Sequence, residues 1–184
     1  MKTNLQEIEN ATLSLLTSPP PTPASTLAEL YGRIPNPDKM TWFKKCCEYM
    51  DVEDFSLYLK KSWLDEEDPN QDKNVSREEI VAYFRKATKL MTPDEQAYFD
   101  SLPTSITVYR GVSPNRAFYG LSWTADKEKA SWFKGRYEKD GQQGKLLKAT
   151  IDKKHAICYI DELHEKELVV DVFKIKESIE QIVP

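Results

Sequence analysis

The chain has 184 residues, is 40% hydrophobic and 30% charged, and carries a formal net charge of −4. That length fits a single domain with room for a helical lobe beside a sheet. The acidic balance offers no general polyanion-binding surface, so nucleic acid is disfavoured as a partner, while a local basic patch stays open. Cys46, Cys47 and Cys158 are an odd set with two adjacent members. They suit reduced thiols in a reducing compartment, not a disulfide framework. With only His155 and His164 to help, they also lack zinc-finger spacing, so no metal is expected. No apolar run approaches the roughly 18 residues of a membrane span. The acidic N-terminal stretch around Glu7 and Glu9 is unlike a secretory signal, which makes the cytoplasm the expected location.

In chain order, Leu5, Ile8, Leu13, Leu15 and Leu16 suggest a short amphipathic helix within residues 1–17. Ser18-Pro19-Pro20-Pro21-Thr22-Pro23 cannot be helical and reads as an extended linker up to residue 24. Residues 25–104 read as a helical lobe. Ser25-Thr26 starts a helix ending near Gly32, and Pro35-Asn36-Pro37-Asp38 is a turn. Met40, Phe43, Cys47 and Met50 recur at helical spacing, as do Phe55, Tyr58, Leu59 and Trp63. The acidic run from Asp65 to Asp72 lacks the glycine and final glutamate of a calcium loop and reads as solvated. Ser76-Arg77-Glu78-Glu79 is a capping box with Val75 and Ile80 at the staple positions, opening a helix to about Leu90. Thr92-Pro93-Asp94-Glu95 opens another, ending before Pro103. Trp42, Trp63 and Trp132 are expected in the core.

From Ile106 the pattern changes to strands, giving a β core over residues 105–184. Ile106, Val108 and Tyr109 lead to Arg110-Gly111 at a strand end, and Gly120-Leu121-Ser122-Trp123 is a second short strand. Thr124 is expected to cap a helix on which Ala130, Phe133 and Tyr137 face the core. Strands follow at Leu146–Ile151, Ala156–Ile160 and Leu168–Lys174, with a polar turn delivering Glu165 and Glu167 before the last. A guanidinium, a hydroxyl pair and a glutamate pair, each beside a strand, suit a phosphorylated ligand and positive charge on a sugar.

Arg110, then Ser122-Trp123-Thr124, then Glu165-Lys166-Glu167 resembles the Arg…Ser-x-Ser/Thr…Glu-x-Glu pattern of mono-ADP-ribosyltransferases of the bacterial-toxin and bacteriophage type. The resemblance covers roughly residues 105–175. It implies an α+β fold in which a helical N-terminal lobe packs on a mixed, mostly antiparallel two-sheet core with an NAD cleft. It implies NAD as substrate, a protein acceptor and, since Glu165 stands two residues before Glu167, arginine as first acceptor. By resemblance Glu167 stabilises the ribosyl cation, Glu165 orients or deprotonates the acceptor, and Ser122 holds Glu167. Arg110 grips a phosphate or ribose oxygen, and the Gly111 backbone approaches the nicotinamide amide. Trp123, Thr124, Phe133 and Tyr137 complete the expected NAD contacts. The middle position of the Ser-x-Thr motif is small in the family and is Trp123 here. In its compact single-domain form the chain resembles enzymes carried by bacteriophages or prophages to modify host proteins, which implies the host cytoplasm as its place of action. NAD hydrolysis, modification of nucleic acid, and a catalytically silent partner-binding fold remain as alternatives.

Overall fold

The computed structural model describes residues 2–16, 18, 20, 22–139 and 141–182. The proline-rich linker falls partly on residues 19 and 21, and the expected N-terminal helix on residues 1 and 17, outside that set. The protein is α+β, with two compact units, Met1–Leu90 and Met91–Pro184.

The first unit is helical. Its longer elements are α1 (Leu5–Leu13), α2 (Leu27–Gly32), α3 (Lys39–Cys46), α4 (Val52–Asp65) and α5 (Arg77–Lys86). Most begin at a side-chain cap. Asn4 accepts from the Glu7 N–H, Thr26 from Glu29, and Asp51 from Glu53 and Asp54. The Ser76 capping box forms in full, and both staple residues are buried. Apolar faces meet in an aromatic core, where Trp42 and Phe43 are fully buried and Trp63 meets Phe84 edge to face at 5.4 Å. Three details depart from the sequence pattern. Helix α5 ends at Lys86, short of Leu90, because the chain turns extended at Ala87 and the Thr88 N–H donates to Ser56 Oγ at 3.3 Å. The stretch from Lys39 to Met50 is α3 followed by a tighter 3-10 turn, Cys47–Tyr49. Leu13, expected on the apolar face of α1, is exposed, and Thr12 takes the buried place, bonded to Ile8 O and to the Trp42 indole.

The second unit opens with α6 (Pro93–Ser101), capped by the complete Thr92 box, and continues with β1 (Ser105–Val112), β2 (Ser122–Trp123), α7 (Lys127–Gly135), β3 (Lys145–Asp152), β4 (Ala156–Ile160), β5 (Glu167–Val170) and β6 (Glu180–Ile182). The strands make two three-stranded sheets, ordered β1-β3-β6 and β2-β5-β4. Every strand pairing among the described residues is antiparallel, where a mixed, mostly antiparallel pair of sheets was expected. The sheets are joined where Tyr109 and Thr124 exchange both backbone hydrogen bonds, at 2.7 and 2.9 Å. That exchange keeps Thr124 in extended backbone, so the cap of α7 moves to Asp126, which accepts from the Lys129 N–H. The strand expected over Leu168–Lys174 ends at Val170, where the Asp171 N–H donates to His155 O and Val172–Lys174 forms a 3-10 turn. Strand β6 had no apolar alternation to mark it, since Glu180 and Gln181 are both exposed on a sheet edge.

Candidate functional site

Arg110 lies on the buried face of β1 with Ile106, Val108 and Val112. Two of its guanidinium nitrogens donate to main chain: Nη1 to Ser122 O at 2.8 Å and Nη2 to Ala117 O at 2.9 Å. The residue is 8% exposed. Arg110 therefore clasps the loop that leads into β2 and fixes the start of β2 itself. Gly120 makes room for it, because a Cβ there would fall 2.1 Å from Nη2. Gly111, on the opposite face of β1, is required by packing: its Cβ would fall 1.9 Å from Ala130 O on α7. The close approach that the missing side chain permits is thus to a helix.

Register brings the other motif residues together. Ser122 pairs with Val169 and Trp123 with Leu168. Glu167 is two residues before Val169, so it shares Ser122's face and is its diagonal neighbour, a separation of about 7–8 Å that long side chains span. Ser122 is half-buried and Glu167 buried at the head of β5. Trp123 points the other way, into the core, with Nε1 donating to Gly120 O at 2.9 Å. Its indole has no polar atom left for a ligand. Thr124 is buried, and its hydroxyl accepts from the Asp126 N–H.

The β4–β5 turn carries Glu165. Its near end is tied to α6, where Glu95 accepts from the Asp161 N–H while also closing the Thr92 box. Its far end is tied to α7 by Lys166, whose Nζ lies 2.7 Å from Asp126 Oδ2. That ammonium and the Lys129 N–H hold the Asp126 carboxyl down at about 2. Two residues of the turn without a glycine's freedom sit in left-handed backbone, His164 (φ 55°) and Lys166 (φ 51°), one on each side of Glu165. Such strain is held by its surroundings and concentrates at functional positions. Glu165 is half-buried, and burial raises its pKa, opposed by the positive charges of Arg136 and Lys129.

Arg136 and Lys129 were not singled out in the sequence. Their signal was the cation-rich run Lys127–Lys145, masked by the acidic total. Phe133 is half-buried on α7, and Tyr137 lies beyond the end of the helix with its ring exposed, not facing the core. Trp132, expected inside, is 56% exposed, because α7 turns Ala130 towards the sheet and Trp132 away from it. A recess lined by Lys148, Ala149, Thr150, Ser178 and Glu180 contains none of these residues. Among the described residues no group of three or more His, Cys, Asp or Glu side chains is arranged to hold a metal ion, and no helix is long and apolar enough to cross a membrane. No protein-family model matches the chain, and comparisons with curated proteins and with solved structures give no match either.

Proposed function

We propose that the Met91–Pro184 unit has a mono-ADP-ribosyltransferase-like core and moves ADP-ribose from NAD to a protein side chain, arginine first, with release of nicotinamide. The supporting observation is the register that sets Ser122 and Glu167 on one face of β2 and β5, with Arg110 anchoring the start of β2. In this reaction the bond from ribose C1′ to the nicotinamide nitrogen breaks and its electron pair stays on nicotinamide. The ribose becomes oxocarbenium-like, and the Glu167 carboxylate stabilises it as carboxylates do in glycoside cleavage. One such preorganised group contributes about 3 kcal/mol. The acceptor nitrogen then bonds to C1′ and gives up a proton to Glu165. A pKa raised by burial suits Glu165 to that role. Ser122 holds Glu167, and Arg110 is a positioning residue.

Incubating a cell lysate with labelled NAD tests this. Wild type should label protein, and Glu167→Gln should lower labelling by at least a hundredfold. Equal labelling by the two would remove the mechanism. Nicotinamide release without labelled macromolecule would identify a hydrolase. The closure of Arg110 on two carbonyls supports one other reading, a silent binding fold built on the same architecture. Absence of NAD binding by calorimetry would select it.

A further inference from the structure

The outer side of α7 and the turn after it carry a ladder in which cations and aromatic rings alternate. Lys129 Nζ is 5.7 Å from the Trp132 ring centre, and the Arg136 guanidinium is 5.4 Å from Trp132 and 5.2 Å from Tyr137. Arg116 closes the far end at 5.4 Å from Tyr137. Phe133 meets Trp132 edge to face at 5.0 Å and steadies the indole. A single exposed tryptophan needs no explanation, but this one is flanked by an ammonium and a planar guanidinium on an exposed surface. Local charge differs from the whole. From Lys127 to Lys145 there are six lysines and arginines against three acidic residues, in a chain whose net charge is −4.

We infer that this ladder is a docking surface for single-stranded nucleic acid, with bases stacking on Trp132 and Tyr137 and phosphates on Lys129 and Arg136. Stacking platforms interleaved with cations are the general solution for unpaired strands, because every base has a face to stack and every linkage a negative charge. A duplex hides its base faces and offers Trp132 nothing to stack on. An acidic protein segment would satisfy the cations and leave the rings unused. The surface belongs to the Met91–Pro184 unit and needs no catalysis, so the inference stands or falls apart from the proposed transfer reaction.

The protein carries its own probe. Of its four tryptophans, Trp42, Trp63 and Trp123 are at most 3% exposed, and Trp132 is 56% exposed. The full chain is titrated with an unlabelled twelve-residue oligo(dT), read by tryptophan emission, and with its fluorescein-labelled form, read by anisotropy. The expected result is quenching of the exposed indole together with micromolar binding. Binding should weaken with salt on a logarithmic slope of about −1.4 for two phosphate contacts on a single strand. Trp132→Phe should retain most of the anisotropy change and lose the emission change. Trp132→Ala and Arg136→Ala should each weaken binding about tenfold, and Arg136→Lys should recover only part. No binding at 100 µM protein in low salt would overturn the inference, as would Trp132→Ala binding as tightly as wild type. Competition by polyglutamate as effective as that by unlabelled oligo(dT) would assign the surface to acidic protein and also overturn it. Competition by a DNA duplex as strong as by the single strand would remove the stacking assignment.

Discussion

Lys39 and Glu66 of the helical unit handle desolvated charge in one way, and Arg110 and Glu165 of the sheet unit in two. In Met1–Leu90, Lys39 is buried with Nζ donating to Tyr31 O at 2.8 Å and lying over the Tyr31 ring, and Glu66 is buried with Oε2 accepting from the Met40 N–H at 2.8 Å. The first bridges neighbouring elements eight residues apart, the second segments 26 residues apart. In Met91–Pro184, Arg110 follows the same rule with two carbonyls, whereas Glu165 does not. Glu165 is half-buried in a turn with left-handed backbone on both sides, and cations nearby lower its pKa against the effect of burial. A charge spent on main chain is architecture. A charge kept partly desolvated, near cations and on strained backbone, is where chemistry is to be sought.

The sharpest way to break that distinction is to remove one charge of each kind. Arg110→Ala strips the donor from two carbonyls and leaves a cavity behind β2, and it should cost about 4 kcal/mol. That is a large fraction of the stability of a unit of this size, so its urea transition should move to much lower concentration. Gly120→Ala, which forces the guanidinium aside, should reproduce much of this loss without touching a charge. Glu165→Gln should change stability by no more than about 0.5 kcal/mol, because it relieves desolvation as it removes attraction to Arg136 and Lys129. If Arg110→Ala unfolds no more easily than Glu165→Gln, Arg110 is no clasp.

These cases also mark what the sequence made legible. Ser76 and Thr92 announced their helices correctly because a capping box is written within four consecutive residues. The spans of β1, β3 and β4 were close to those observed because apolar alternation marks β1 and short apolar runs mark β3 and β4. Edge strand β6, at Glu180–Ile182, was not legible, since its residues carry no apolar alternation. Arg110 could be picked out as unusual, but its partners Ala117 O and Ser122 O depend on how the chain returns after β1, which no local pattern encodes. The backbone at His164 and Lys166 was hidden too, because neither position is a glycine. The acidic net charge obscured the cations beside Trp132, since an average over the chain says nothing of their clustering.

A smaller effect sharpens the comparison inside the helical unit. Burial, with Asp72, Asp38 and Asp68 nearby, raises the Glu66 carboxyl to about 7 although its bond from the Met40 N–H pulls the other way. The folded protein therefore holds a proton on Glu66 through a pH range in which the unfolded chain has released it. Glu66's stabilising contribution is full below the unfolded value near 4.5 and declines as pH rises through about 7. The loss amounts to about 3 kcal/mol at most, from roughly 1.4 kcal/mol for each pH unit between the two values. Glu66→Gln keeps an acceptor for Met40 and cannot ionise. Urea midpoints measured against pH should agree for the two proteins near pH 4 and favour the variant by pH 8. Parallel curves across that range would show that Glu66 does not carry this pH dependence.

An effect of the opposite sign comes from Gly32, set beside Gly120. Gly120 lies against the Arg110 guanidinium, but Gly32, the last residue of α2, is exposed, and a Cβ built on it meets nothing within 4 Å. Its backbone is helical, a conformation open to any L-residue. Alanine there forms helix more readily than glycine and reduces the freedom of the unfolded chain, so Gly32→Ala should stabilise the helical unit by about 0.5–1 kcal/mol. Gly120→Ala should have the opposite sign in the sheet unit. Thermal melts of the two variants beside wild type decide the point. A fall in the melting temperature of Gly32→Ala would mean that α2 needs glycine's backbone at its end, and that open space around a Cβ does not by itself identify a dispensable glycine in this chain.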